Sequence, residues 1–233
     1  MQVDIKKTHM PCDWVCEEGL QARKRLGILG GTFDPVHLGH VDIALHARNY
    51  FALHRVALMP AGIPAHKPNA LLAPAGQRLD MVRLAVEGTP LEAWDIEVNR
   101  PGATYTVDTL ELLQAALGAE YDFYYIIGAD TLMELPTWKD PVRVFGLCTF
   151  LVFYRPGEPV EAVMRQVCML TEYYGAKLCL APHTGPDISS TMIKKMAAKG
   201  EDLARWVPAA VAGYIDAHGL YRGRKRWTKG NYC

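Results

Sequence analysis

The stretch that decides the fold is Gly27-Ile-Leu-Gly-Gly-Thr-Phe-Asp-Pro-Val-His-Leu-Gly-His40. It opens in a short apolar run, Leu26 to Leu29, which is bounded by glycine and is typical of a buried strand. Gly30 and Gly31 then allow positive φ angles and let the main chain approach a ligand closely. From Leu38 the apolar pattern becomes helical. The stretch therefore predicts a strand, a glycine turn and a helix, an arrangement that presents backbone N–H groups to a phosphate.

Two histidines, His37 and His40, stand at the start of the predicted helix. Imidazoles there can donate hydrogen bonds to phosphate oxygens, and their charge is adjustable near neutral pH. A metal site and a purely structural role are the two alternatives. The metal site would lack the glutamate of a His-Glu-x-x-His motif. The stretch also lacks the Gly-Lys-Thr of a Walker loop and the spacing of a dinucleotide fingerprint.

Composition narrows the class of protein. The chain has 233 residues, half of them hydrophobic, which allows one large or two small α/β domains with a substantial core. Its 25 basic and 25 acidic residues cancel, so no global field attracts nucleic acid or an anionic membrane. The cysteines form no Cys-x-x-Cys pair, which argues against a zinc site. No apolar run has the length of a signal peptide or a membrane span, so we expect a cytoplasmic protein.

Predicted strands and helices alternate along the chain. Solidly apolar strands between helices predict an α/β fold, a Rossmann-like doubly wound parallel sheet with helices on both faces. Such sheets bind ligands beyond the carboxyl ends of their strands, so the strands that end near Gly30 and Gly128 should be neighbours. The later predicted strands are Arg55 to Met59, Trp94 to Val98, Phe123 to Ile127, Leu147 to Tyr154 and Lys177 to Leu180. The later predicted helices are Gln77 to Glu87, Thr106 to Leu117, Val160 to Tyr173, Ser190 to Lys199 and Pro208 to His218.

Several segments, in order between Leu26 and Arg222, resemble a known family. Gly30 to His40 is similar to the signature of a nucleotidyltransferase superfamily that carries a His-x-Gly-His motif. Ile188-Ser-Ser-Thr-Met-Ile-Lys194 resembles its second signature, in which arginine usually stands at position 194. Four segments between them resemble bacterial nicotinate-nucleotide adenylyltransferases: Pro64-Ala-His-Lys67, Thr104-Tyr-Thr-Val-Asp-Thr109, Ile127-Gly-Ala-Asp130 and Leu135-Pro-Thr-Trp138. An aromatic residue often follows this tryptophan in the family, whereas this chain has Lys139.

The resemblance implies an activity and its partners. The protein would transfer the adenylyl group of ATP to nicotinate mononucleotide, giving nicotinate adenine dinucleotide and pyrophosphate in NAD biosynthesis. Mg²⁺ would be held mainly by the ATP phosphates, with no metal site on the protein. The alternatives are a sister adenylyltransferase that acts on nicotinamide mononucleotide or phosphopantetheine, and a non-catalytic nucleotide sensor. Assembly into a homo-oligomer is left open.

The resemblance also implies roles for individual residues. His37, His40 and Lys194 would be catalytic, because they would stabilise charge on the phosphates. An ordinary helix N-cap is the local alternative for Asp130, and for Ser189 or Ser190. Nicotinate mononucleotide would be bound by Lys67, Thr104, Tyr105, Thr106 and Trp138. ATP would be bound by Gly30, Gly31, Thr32, Phe33, His37, His40, Gly128, Asp130, Ile188, Ser189, Ser190, Thr191 and Lys194.

The predicted transferase domain spans residues 25–222. An N-terminal extension of residues 1–24 precedes it, and a basic tail of residues 223–233 follows it. The last twelve residues carry five basic side chains and no acid, which is typical of a solvated tail. We expect both ends to be dispensable for activity.

Overall fold

The computed structural model describes residues 23–65, 72–154 and 160–222. The predicted ligand Lys67 lies outside the described residues. So do the basic tail and all but the last two residues of the predicted N-terminal extension.

The main sheet has six strands in the order β4-β2-β1-β6-β7-β8. From the central β1 the sheet extends to β2 and β4 on one side and to β6, β7 and β8 on the other. A separate small sheet pairs β3 with β5 in parallel. The strands are β1 (Lys24–Gly31), β2 (Arg55–Pro60), β3 (Ile63–Pro64), β4 (Glu92–Ala93), β5 (Ala103–Thr104), β6 (Tyr121–Gly128), β7 (Thr149–Tyr154) and β8 (Lys177–Pro182).

The predicted neighbours are confirmed. β1 pairs with β6 in parallel, with Leu26 opposite Phe123 and Ile28 opposite Tyr125. β6 pairs with β7 and β7 with β8, also in parallel. Leu26 and Ile28 are fully buried, because a parallel sheet in the interior needs apolar side chains on both faces.

Eight α-helices flank the sheet in the described part of the chain, and most follow the predicted apolar periods. α7 matches its prediction at both ends, since Ser189 caps its first turn and Gly200 ends it at a φ of 73°. The helices are α1 (Leu38–Tyr50), α2 (Ala75–Val86), α3 (Thr106–Leu117), α4 (Ala129–Glu134), α5 (Pro141–Leu147), α6 (Val160–Tyr174), α7 (Ser190–Lys199) and α8 (Ala209–Ala217). The predicted α/β fold of Rossmann-like type is confirmed.

One predicted strand is wrong. The pattern from Trp94 to Val98 predicts a strand, but β4 ends at Ala93. Trp94 still donates its backbone N–H to the Leu58 carbonyl. The chain then turns, because the N–H of Asn99 bonds to the carbonyl of Asp95. The sequence pattern does not predict β3, β5, α4 and α5, because these elements are too short to show an apolar period.

The chain divides into two compact units that are each discontinuous in sequence. Of the described residues, the first unit comprises 23–29, 47–55, 105–154 and 160–184. The second comprises 30–46, 56–65, 72–104 and 185–222. The first is centred on buried β6 and β7 side chains such as Ile126 and Phe150, the second on Met81, Ile193 and Val211.

Candidate active site

The turn after β1 differs from its prediction. Gly30 and Gly31 continue the strand and neither has a positive φ; Phe33 takes the left-handed conformation instead, at a φ of 48°. Gly31 packs closely on this residue, since a Cβ there would come 3.3 Å from the Phe33 ring. Phe33 is buried, and its ring meets that of His40 edge-on at 4.9 Å. A strained aromatic residue therefore shapes the turn.

His37 and His40 form a stacked pair at the start of α1. Their ring centroids lie 3.6 Å apart with an angle of 21° between the planes. The backbone N–H of His37 donates to Nδ1 of His40 over 3.2 Å. The neutral His40 ring therefore carries its proton on Nε2, where it can donate to a ligand. Gly39 makes room for the pair, because a Cβ there would come 3.2 Å from Nδ1 of His37.

Burial keeps both imidazoles neutral. It lowers the pKa of His37 to about 4. Burial, with a smaller contribution from His37, also lowers the pKa of His40 well below its usual value. Nδ1 of His37 is buried and has no hydrogen-bond partner among the described residues. A neutral imidazole can still donate one hydrogen bond, so the pair can serve an anion without first taking up a proton.

The two signatures meet within the second unit. The Ser190 hydroxyl donates to the Pro35 carbonyl over 2.9 Å. Ser189 acts as the N-cap of α7 and accepts the N–H of Met192, as its local alternative predicted. Lys194 reaches back to Asp34, with 2.9 Å between Nζ and Oδ2. Residues about 155–160 positions apart in sequence therefore share one site.

Asp34 is the centre of this arrangement, a residue to which sequence reasoning gave no role. Its side chain is only 3% exposed, against 33% for Lys194. Its other oxygen, Oδ1, accepts the hydroxyl of Tyr221 at 2.8 Å and the backbone N–H of Ala73 at 3.1 Å. Three donors therefore compensate the buried carboxylate, which is what a charge in this position requires.

Arg78 was also missed, and it is the largest fully buried side chain of the described residues. Its guanidinium donates to the carbonyls of Thr32, Gly62 and Ala73 over 2.7–3.0 Å. Arg78 stands on the apolar face of α2, four residues before the buried Val82. An arginine on the face predicted to be buried is a signal that could have been read from the sequence.

The start of α1 offers fewer donors than predicted. The backbone N–H of Leu38 already bonds to the carbonyl of Trp206 over 2.9 Å. The N–H groups of His40 and Val41 bond to the carbonyl of His37. These three N–H groups are thus not available to an anion at this helix start, whereas the imidazoles can donate to one.

In the first unit, Gly128 and Asp130 lie where β6 runs into α4. Gly128 is the N-cap position and Asp130 is an exposed residue of the first helical turn. The predicted alternative, that Asp130 is itself the N-cap, is therefore wrong. An acid in this turn is favoured by the positive end of the helix dipole.

Three residues of the predicted nicotinate pocket also lie in the first unit. Tyr105 precedes α3 and Thr106 begins it. Trp138 packs edge-on against Tyr125 at 5.9 Å and Phe150 at 6.2 Å. Lys139 takes the place of the family's aromatic residue and lies 4.5 Å from the Tyr105 ring centroid. It also pairs with Asp108 over 2.9 Å, so its charge is partly neutralised.

Thr104 lies in the second unit, on β5 opposite Pro64. Its hydroxyl oxygen is buried and lacks a partner among the described residues. Gly62 leaves space beside it, because a Cβ at Gly62 would overlap the carbonyl oxygen of Glu97 and come 3.4 Å from the Thr104 hydroxyl. A buried hydroxyl without a partner is costly, which is consistent with a ligand-binding role.

The described residues contain no group of three or more His, Cys, Asp or Glu side chains that could hold a metal ion. The carboxylate of Asp34, three residues before His37, already accepts hydrogen bonds from three donors. Nor is any helix in the described ranges long and apolar enough to cross a membrane.

Known proteins match this chain over most of its length. A family model described as cytidylyltransferase-like matches residues 28–196. A probable nicotinate-nucleotide adenylyltransferase of Desulfatibacillum aliphaticivorans is 39% identical over 217 residues, covering 84% of this chain and 99% of that protein. A protein of the same description from Roseiflexus sp. is 41% identical over 201 residues, covering 84% and 98%. The chain belongs to the nicotinate-nucleotide adenylyltransferase family.

Solved structures of similar fold carry related names. The nicotinic acid mononucleotide adenylyltransferase of Plasmodium falciparum complexed with NaAD superimposes with a TM-score of 0.70 at 19% identity. The match covers 85% of this chain and 98% of that one. The same enzyme complexed with APC gives a TM-score of 0.68. At this identity the likeness shows the shared fold, and the predicted family is confirmed by the closer relatives.

The predicted site residues fall into two groups. Within the second unit the structure joins both signatures of the family, through Pro35 and Asp34. Gly128, Asp130, Tyr105, Thr106 and Trp138 belong to the first unit. Their roles toward ATP and nicotinate mononucleotide remain predictions.

Proposed function

We propose that the protein transfers the adenylyl group of ATP to nicotinate mononucleotide, releasing pyrophosphate and forming nicotinate adenine dinucleotide. The observation that carries this proposal is the union of the two family signatures, in which Ser190 bonds to Pro35 and Lys194 to Asp34. Relatives at 36–41% identity that bear the name of this activity support it. It places the protein in NAD biosynthesis.

The chemistry needs no general base. The phosphate group of nicotinate mononucleotide has its second pKa near 6, so an oxygen of it is already an anionic nucleophile at neutral pH. This oxygen forms a bond to the α-phosphorus of ATP. The bond from that phosphorus to the bridging oxygen breaks, and the electron pair leaves with pyrophosphate. The protein has to align the two groups and stabilise the charge that develops.

The histidine pair suits that task. A neutral His40 with its proton on Nε2 is a donor for a phosphate oxygen, and the stacked His37 and the edge of Phe33 fix the orientation of the ring. Because the ring is preorganised, no reorganisation is required when charge develops on the leaving group. Lys194 adds a positive charge, and Ser189 and Thr191 add hydroxyl groups at the start of α7.

Mg²⁺ would enter with ATP, bound mainly to its phosphates. Mg²⁺ usually keeps several waters and few protein ligands when it accompanies a nucleotide. The donor set near the histidine pair agrees with this, since Asp34 is bonded to protein groups on both oxygens. The protein's own contribution is then the placement of imidazole, ammonium and hydroxyl groups.

A product assay tests the proposal. Purified protein with MgATP is given nicotinate mononucleotide, nicotinamide mononucleotide or phosphopantetheine in turn, and pyrophosphate and the dinucleotide are measured. We expect kcat/KM for the acid to exceed that for the amide by about tenfold or more, because a mismatched buried polar group costs about 1–3 kcal/mol. Release of pyrophosphate with phosphopantetheine alone would assign the sister activity, and no release with any acceptor would make the protein a nucleotide sensor.

A further inference from the structure

Tyr221 lies in the turn that follows α8, outside every segment that resembles the family signatures. Its hydroxyl donates to Oδ1 of Asp34 over 2.8 Å, across 187 positions of sequence. Burial, together with the negative charge of Asp34, raises the pKa of Tyr221 far above its usual value. Tyr221 therefore remains a protonated donor at any pH at which the protein works.

Asp34 divides its two oxygens between two tasks. Oδ1 accepts Tyr221 and the N–H of Ala73, whereas Oδ2 accepts only Lys194 among the described residues. With Oδ1 occupied, the carboxylate cannot rotate, so the direction from which Lys194 approaches is fixed. The two hydrogen bonds to Oδ1 also draw negative charge away from Oδ2. They therefore weaken the attraction between Oδ2 and the ammonium group of Lys194.

Backbone strain marks the same contact. Tyr221 has a φ of 61° and Phe33, the neighbour of Asp34, has a φ of 48°. Residues other than glycine rarely adopt this left-handed conformation, and bulky residues adopt it least often. Such conformations persist where the surroundings hold them, and they concentrate at functional sites. Both residues are joined through the Tyr221–Asp34 hydrogen bond.

We propose that Tyr221 is a positioning residue for adenylyl transfer, which acts through Asp34 to keep Lys194 available to the triphosphate. This inference rests on the proposed function. Tyr221 itself touches neither ATP nor the acceptor in this role. Without its hydroxyl, Oδ1 keeps a single donor, the carboxylate turns toward Lys194, and ATP must compete with a tighter ion pair.

The test is Tyr221→Phe, alone and combined with Lys194→Ala. In the parent background we expect KM for ATP to rise about five- to tenfold, the order of one net hydrogen bond, because Asp34 then holds Lys194 more tightly. We expect kcat to change by less than about twofold. In the Lys194→Ala background the same substitution should change KM by less than about twofold, since the residue it acts through is gone. The dissociation constant of a non-hydrolysable ATP analogue, measured by calorimetry, provides a readout that does not depend on turnover.

Tyr214→Phe is the matched control. Tyr214 belongs to α8 and donates its hydroxyl to Asp80 over 3.1 Å, so the variant loses a similar tyrosine–carboxylate bond away from the signatures. It should lower the melting temperature slightly and leave KM for ATP at the parent value. Ala73→Pro is a second probe, because it removes the other donor to Oδ1 without altering the C-terminal turn, and it should also raise KM for ATP.

The outcomes separate the two proposals. If the parent protein releases no pyrophosphate with any acceptor, the proposed function fails. If the parent is active and Tyr221→Phe behaves as Tyr214→Phe does, the positioning role is overturned and the function stands. Equal rises in KM in the parent and Lys194→Ala backgrounds would also overturn it, because Tyr221 would then act independently of Lys194. Should Tyr221→Phe not fold, an unchanged KM in Ala73→Pro would overturn it in the same way.

Discussion

Both compact units carry exposed ion pairs, but among the described residues only the second unit buries aspartate, glutamate or arginine side chains. In the second unit, Asp34 and Arg78 are buried and bond to groups remote in sequence. In the first unit, pairs such as Lys139–Asp108 and Arg143–Glu111 lie about half exposed. Exposed pairs contribute about 0–1 kcal/mol, whereas removing one partner from a buried arrangement costs about 3–5 kcal/mol. Charge therefore organises the backbone in the unit that holds the signatures and mainly serves the surface in the other.

The largest effect should come from Arg78→Met. It leaves three backbone carbonyls without their donor and removes the positive charge that favours Asp34. We expect a loss of about 3–5 kcal/mol in the free energy of unfolding, measured by urea denaturation. Arg83→Met on the same helix is the control, since Arg83 is 54% exposed and should cost less than about 1 kcal/mol. Equal losses in the two variants would break the comparison between the units.

His40→Ala should give the next largest effect, on turnover instead of stability. Removing a preorganised donor typically lowers kcat on the order of 10²–10³-fold, or about 3–4 kcal/mol. Steady-state pyrophosphate release measures it, with a thermal melt to show that the fold is kept. The control is His218→Ala, an exposed histidine on the C-terminal side of α8, which should turn over at the parent rate. Parent-like turnover in His40→Ala would remove the histidine pair from the mechanism.

Acid should destabilise the protein through His37. Its pKa is about 4 when folded, against an ordinary value of 6.5, so between these values the unfolded chain binds more protons. The free energy of unfolding therefore falls as the pH is lowered through this window, by about 3 kcal/mol from His37 alone. Urea denaturation at several pH values should show a shallower dependence in His37→Gln than in the parent. Parallel curves for the two proteins would mean that His37 is not kept neutral by the fold.

The smallest effect should come from Lys139→Met. Its pair with Asp108 is exposed on both sides, and its contact with the Tyr105 ring is a cation–π interaction at the surface. We expect at most about 1 kcal/mol in the free energy of unfolding. Lys24→Met, which breaks the exposed pair with Glu120, is the matched control. A loss as large as that of Arg78→Met would show that the first unit also depends on its charges.

The sequence predicts the elements whose physics is local. The bounds of α7 follow from a serine cap and a terminal glycine, and the neighbouring positions of β1 and β6 follow from solidly apolar strands that end in glycine. The strand predicted at Trp94 to Val98 failed because a hydrogen bond from Asn99 to Asp95 turns the chain there. The turn predicted at Gly30 and Gly31 is wrong, because β1 continues through both glycines and Phe33 makes the turn.

The missing parts of the candidate site depend on long-range contacts. Asp34 stood in the quoted motif, yet its partners Lys194 and Tyr221 lie 160 and 187 residues away. A sequence period of 3.6 residues shows that one face of α2 is apolar. It does not show that the buried Arg78 guanidinium on that face donates to three backbone carbonyls outside the helix. The sequence predicted the histidine pair. The stacking of the two rings and the tautomer of His40 follow only from the three-dimensional structure.

The packing at Gly62 limits the mutations that this position can tolerate. Every base change in a glycine codon that alters the encoded amino acid adds a Cβ, and at Gly62 that atom would overlap the Glu97 carbonyl oxygen. No amino-acid replacement at Gly62 therefore fits the present backbone, and one can be tolerated only if the main chain at Glu97 shifts at the same time. Gly76, Gly146 and Gly213 differ, because, apart from the adjacent residues and the backbone of the same helix, no atom of the described residues lies within 4 Å of a Cβ built there. Amino-acid substitutions should therefore accumulate at these three positions and be rare at Gly62.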